Sequence, residues 1–223
     1  IASLQDYEKD GDAQLTGEMA RFLALWMAFE DLPRVAQIKI SPQRFERFRQ
    51  EVKADSEQQV GMVEFLHPRV EEFCGVMPAA MGRYMLQSKF FSRVLGWFAR
   101  PRNIRTNSLH GYLFFYVMAW CRRFRPASLA YQQEQQHIEQ WLAMLARAAS
   151  SDYELAVEMA RCGRLVKGYG ATRERGLGSM ARIAGLYRDL GDVSAATIRS
   201  LREAALADDQ GVALSDLEAD LRA

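Results

Sequence analysis

Glu134-Gln-Gln-His137 has the Glu-x-x-His spacing with which helical bundles present ligands to a di-iron centre. Such a centre needs a second copy of the motif and further helical glutamates, and this chain has a single copy. Gln135 and Gln136 mark a solvated face, so no metal is expected here. His67 and Glu71 stand about one helical turn apart, but Pro68 makes the histidine a helix-entry residue before it is a base or ligand. Ser108 and His110 lie at the mouth of an apolar segment, and a Ser–His pair close in sequence does not define a triad, which is set by geometry. Glu30 and Arg34 have the i,i+4 spacing of an ion pair, with Asp31 between them, and read as a structural clamp.

The basic residues carry the stronger signal. Between Arg161 and Gly176 the chain holds five cationic side chains and glycines at 163, 168, 170 and 176. A helix running into Lys167 would end at Gly168, because glycine takes the left-handed C′ conformation at little cost, and cations there suit the negative end of the helix dipole. Arg164, Lys167, Tyr169, Arg173 and Arg175, with Arg105, are the expected anion-binding residues, their guanidinium forks matching phosphate or carboxylate. Arg100, Arg102, Arg122, Arg123 and Arg125 add to the basic inventory. Gly168-x-Gly170 is no dinucleotide fingerprint: position 173 is Arg and no strand precedes it. Neither a Gly-Lys-Ser/Thr phosphate loop nor a Gly-Asp-Gly thiamine site occurs, so no catalytic residue is expected in this chain.

The elements that must position these groups read helical almost throughout. Met19, Phe22, Leu23, Trp26 and Phe29 share one face of a helix opened near Thr16. Ser41-Pro42 sets a cap before a proline at the first helical position. Further helices are expected over 43–53, 78–86, 90–98, 109–124, 128–148, 153–167, 172–190 and 194–207. Ser56-x-x-Gln59, Ser151-x-x-Glu154 and Ser215-x-x-Glu218 match capping boxes. The one segment that looks extended is 103–106. Two stretches, 22–29 and 112–120, are apolar on nearly every side and are expected at the heart of the bundle. The expectation is one all-α domain over 1–223, a compact bundle of about ten helices, with a peripheral acidic tail from Asp208 onward.

A chain of 223 residues and net charge +1 gives no electrostatic case for nucleic acid or membrane, so any basic patch must be local. The longest apolar run, Gly111 to Cys121, has 11 residues, well short of the roughly 20 needed for a membrane span. Cys74, Cys121 and Cys162 are far apart and odd in number, which disfavours disulfides, zinc and iron–sulfur sites and suits a reducing cytoplasm. The first residue is Ile1, and the expectation is a piece of a longer polypeptide.

Glu30-Asp-Leu-Pro-Arg-Val-Ala36, His67-Pro-Arg69, Arg105-Thr-Asn-Ser-Leu-His-Gly111 and Arg164-Leu-Val-Lys-Gly-Tyr-Gly-Ala-Thr-Arg-Glu-Arg-Gly176 together resemble the helical C-terminal domain of extended beta subunits of indolepyruvate ferredoxin oxidoreductases. In the last motif the family has Asp and His where this chain has Ala171 and Arg173, which removes the pair that could have done acid–base work. The resemblance implies a parent enzyme that oxidatively decarboxylates aryl-2-oxoacids to acyl-CoA and reduces ferredoxin. It implies thiamine diphosphate and iron–sulfur clusters on a partner alpha subunit, and a gamma-type oxidoreductase domain upstream in the same chain. The stretch itself would be an accessory domain. The alternative is a stand-alone helical module for protein interaction or anion binding, with 90–98 as its docking face.

Overall fold

The computed structural model describes residues 6–8, 13–27, 32–55, 57–67, 69–168, 170–191, 193–208 and 210–222. The fold is all-α, as the periodicity predicts: twelve α-helices, two 3₁₀ turns and one two-stranded ribbon among the described residues. The contacts group the chain into two compact units, residues 1–29 with 136–223, and residues 30–135. They are called here the terminal unit and the central unit.

The terminal unit contains α1 (Gln14–Met27), most of α8 (Leu129–Ala149), α9 (Tyr153–Arg161), α10 (Ala171–Leu190), α11 (Ala195–Ala207) and α12 (Val212–Arg222). In α1, Leu15, Met19, Phe22 and Trp26 are buried at spacings of four, three and four, one helical stripe. They meet Ile138, Trp141 and Leu145 of α8 and Ile183 and Leu186 of α10 in a single core. At its centre lies α9, whose residues Leu155 to Ala160 are all buried. Ala156, Val157 and Ala160 are small enough for neighbours to approach α9 from every side. Its cap is Asp152, whose carboxylate accepts from the Glu154 amide at 2.9 Å, not the Ser151 of the expected box. The expected tail is helical as α12 and buries Leu214 completely. Ser215 lies inside that helix, so its sequence box is not a cap; Asp208 supplies the cap instead.

The central unit runs α2 (Leu32–Lys39), α3 (Pro42–Glu51), β1 (Val63–Leu66), α4 (Val70–Val76), α5 (Ala79–Gln87), α6 (Lys89–Phe98), β2 (Arg102–Arg105) and α7 (Leu109–Trp120), then a 3₁₀ turn over Cys121–Ala127 and the first turns of α8. Ser41 precedes Pro42 at the start of α3 as expected. The predicted extended segment is β2, and its partner is β1, paired antiparallel with Glu64 opposite Ile104. Residues 57–62 are not helical, so the Ser56 box opens no helix. Sequence patterning missed β1 because Glu64 points inward, where Lys39 Nζ and Arg44 Nη2 both donate to its carboxylate. Burial raises the Glu64 carboxyl, but those two cations outweigh it and hold it below the ordinary glutamate value.

The segment from Arg105 to Gly111 is a joint. Thr106 is fully buried and its amide donates to the Met62 carbonyl at 3.0 Å. Asn107 Nδ2 donates to the Val60 carbonyl at 2.9 Å, and Ser108 Oγ caps α7 by accepting from the Gly111 amide. A Cβ on Gly111 would stand 2.0 Å from the Arg105 carbonyl oxygen, so only glycine lets α7 start this close to β2. Helix α7 itself overturns an expectation: of its twelve residues only Gly111 and Phe115 are buried. Helix α1 meets the same expectation in part, with Phe22 and Trp26 in the core and Leu25 exposed.

Candidate anion-binding site

The basic motif is built on a tight turn. Helix α9 gives way to a 3₁₀ turn over Cys162–Leu165, earlier than the predicted helix end. Gly168 then takes φ +74° and Gly170 φ +56°, conformations that L side chains rarely adopt. The other two glycines serve contact. A Cβ on Gly163 would meet Phe22 at 2.7 Å, and one on Gly176 would meet the Leu165 carbonyl at 2.2 Å. Each glycine of the motif is therefore required by the turn or by close packing.

This turn brings Lys167 and Arg175 to one open cavity of about 200 Å³, which Arg182, Asp208 and Gly211, the residue before α12, also line. Lys167 and Arg175 are exposed, and Arg175 Nη2 donates to Thr172 Oγ1 at 3.3 Å. The third cation is already committed: Arg182 Nη2 pairs with Glu218 at 2.6 Å and bonds Ser215 Oγ at 2.8 Å. Asp208 is engaged too, accepting from the amides of Gln210 at 2.8 Å and Val212 at 2.7 Å. Those backbone bonds hold its carboxyl below the ordinary aspartate value. The corner thus presents one ammonium and one guanidinium beside hydroxyls of Thr172 and Ser179, an arrangement suited to a phosphate or carboxylate oxygen.

The remaining expected residues disperse. Arg164 is exposed on the 3₁₀ turn outside the cavity lining. Arg173 is 7% exposed and faces inward, where its charge acts on His137. Arg105 is exposed on β2 of the central unit, opposite Val63. Tyr169, Glu30, Asp31 and Phe29 lie outside the described residues. Sequence reading missed Arg182, whose link to the corner is tertiary.

A second ionic cluster was not foreseen. Glu158 in α9 is 1% exposed, yet it accepts from Arg161 Nη1 at 2.7 Å and Arg199 Nη2 at 2.9 Å, and from Arg202 Nη1. Arg161 also reaches Glu18 of α1 at 3.3 Å. Burial pushes the Glu158 carboxyl up, but its arginines win and hold it below the ordinary value. The signal available in sequence was the spacing of three between Glu158 and Arg161 and between Arg199 and Arg202. Beside it Cys162 is fully buried, and desolvation pushes its thiol up to about 12, which makes it inert. All three cysteines are free.

His137 borders a larger cavity of about 530 Å³ with Trp26, Trp141 and Tyr187. Burial, then the Arg173 charge, lowers its pKa from the ordinary histidine value, so it is neutral at pH 7. Among the described residues no three His, Cys, Asp or Glu side chains come together as metal ligands. His67 and His110 are exposed.

The chain belongs to the DUF6537 family, a family of unknown function whose pattern matches residues 1–185. No curated protein and no solved structure matches it.

Proposed function

We propose that this chain is an accessory helical domain of the beta subunit of an indolepyruvate-type 2-oxoacid ferredoxin oxidoreductase. It would support assembly with the alpha subunit and the upstream gamma-type domain, and contribute an anion corner without performing the chemistry. Thiamine diphosphate and the iron–sulfur clusters would reside on the alpha subunit. The observation that carries the reading is the glycine turn that sets Lys167 and Arg175 on one cavity, within the motif that gives the strongest resemblance. Such a corner suits a CoA phosphate or the carboxylate of a 2-oxoacid. Three free cysteines support a reducing, cytoplasmic setting, and no helix among the described residues is long and apolar enough to cross a membrane.

The test uses the whole beta subunit co-expressed with the alpha subunit and assayed for CoA-dependent, indolepyruvate-driven dye reduction. Lys167→Ala with Arg175→Ala is expected to raise KM for CoA or oxoacid roughly tenfold or more, since a charge-assisted hydrogen bond contributes about 1.5–3 kcal/mol. Unchanged turnover and CoA affinity would sink the anion role. Removal of the whole domain is expected to abolish assembly or turnover. Normal assembly and rate without it would instead favour an appended interaction module, a reading that the exposed Phe90 and Trp97 of α6 support.

A further inference from the structure

The central unit carries a surface that none of its own elements covers. Along α7, Leu109, Tyr112, Leu113, Tyr116, Val117 and Trp120 are each at least 41% exposed. Their spacings of three, one, three, one and three place them on one face of the helix. The opposite face is occupied: Phe115 is buried and Lys39 of α2 lies over its ring at 5.9 Å. Soluble proteins rarely leave so large a contiguous apolar stripe open without a partner.

The charges around the stripe select the partner. From Phe73 to Gln133 the sequence contains eight arginines and one lysine and not a single Asp or Glu. The stripe is bracketed along the chain by exposed Arg105 before α7 and exposed Arg122 and Arg123 after it. A second copy would bring like charges face to face, which costs affinity. Trp, Tyr, Phe, Met and Arg, with Lys and acids depleted, is the composition of protein-interface centres. The mid-stripe hydroxyls of Tyr112 and Tyr116 find acceptors on a protein, whereas a lipid interior offers none.

We propose that the α7 stripe is the docking face for a protein surface with an apolar centre and a carboxylate rim. Resting on the functional reading above, that partner is the alpha subunit of the parent enzyme. Arginine forks at both ends of α7 would pair the rim carboxylates in two-pronged fashion, while Trp120 and Tyr116 would fill pockets in the apolar centre.

The experiment measures affinity of the full beta subunit for purified alpha subunit, at low and at high salt. Leu113→Glu with Val117→Glu is expected to weaken binding at least tenfold with an unchanged Tm, and Leu113→Met to leave it intact. Arg123→Glu is expected to weaken binding and flatten its salt dependence. A complex that forms and stays within twofold of the wild-type affinity in the double variant overturns the docking face and leaves the functional reading standing. No complex with the unaltered chain removes both. Stripe-dependent sedimentation with phosphatidylcholine–phosphatidylglycerol vesicles, or dimerisation lost in the double variant, would overturn the proposal in favour of lipid or of a second copy.

Discussion

The terminal and central units share a helical vocabulary and use it in opposite ways. The terminal unit holds thirteen cations against eighteen acids; the central unit holds sixteen against ten. The first keeps its apolar side chains inside, around α9, and even draws a glutamate into the core. The second leaves the most apolar helix of the chain largely outside. A core helix needs only side chains that fit on every side, so small residues and a fully paired carboxylate serve as well as large apolar ones. Apolarity alone therefore does not locate the centre of a fold, and its excess on an exposed helix marks a contact with something else.

Breaking that contrast should begin at α9. Glu158→Ala leaves Arg161, Arg199 and Arg202 without their shared acceptor and is expected to destabilise the protein by about 3–5 kcal/mol, read by denaturant unfolding. The corresponding change in the central unit, Glu64→Ala, should cost less, about 1–3 kcal/mol, because Lys39 and Arg44 can turn to solvent. An equal loss at both sites would erase the distinction. Gly163→Ala comes next: its new methyl group meets Phe22, and overpacking of this kind costs about 1–3 kcal/mol. Melting of that variant at the wild-type temperature would show that α1 and the turn are not held as tightly as the contact implies.

Acid titration sharpens the comparison. His137 has a lowered pKa, so the unfolded chain binds its proton first, and stability falls as pH drops below about 6.5. Glu158 also has a lowered pKa; its contribution is full above the ordinary glutamate value and is lost as pH falls through the depressed one. The variant His137→Gln should remove the first of these losses from a stability-versus-pH curve. Smallest of all should be Leu113→Glu on α7, within about 0.5 kcal/mol of wild type in stability, because its side chain is already in solvent. A large drop in Tm there would place α7 in a core. Thiol labelling of the native chain offers a parallel check: Cys121 should react, while buried Cys74 and Cys162 stay silent.

Much of this organisation is legible in the residues. Pro42 opens α3 where expected, although the Ser41 side chain makes no cap bond. The helices expected from 109, 128 and 194 begin within a residue of those positions, capped by Ser108, Ser128 and Ser194, because capping and backbone restriction act within a few residues. Gly168 takes its left-handed conformation for the same local reason, although the helix it was expected to end stops earlier, at Arg161. Three capping boxes mislead, since a serine and a glutamine or glutamate three apart also occur in loops and inside helices, as Ser215 does. Strand β1 hides because its inward Glu64 is neutralised by cations 25 and 20 residues earlier in the chain.

The candidate site divides in the same manner. Lys167, Arg175 and the glycines between and beside them were visible together because one turn holds them. Arg164, Arg173 and Arg105 looked equivalent in sequence and are sent to solvent, to the interior and to the other unit, since the direction of a side chain follows from what its helix packs against. By itself the sequence determined most of the helices, some of their caps and the glycine turn, all of which rest on interactions within a few residues. Only tertiary structure decided which helix is central, that Glu158 gathers three arginines, that Arg182 joins the basic corner, and that the greasiest helix faces out, because each depends on surfaces brought together from distant parts of the chain.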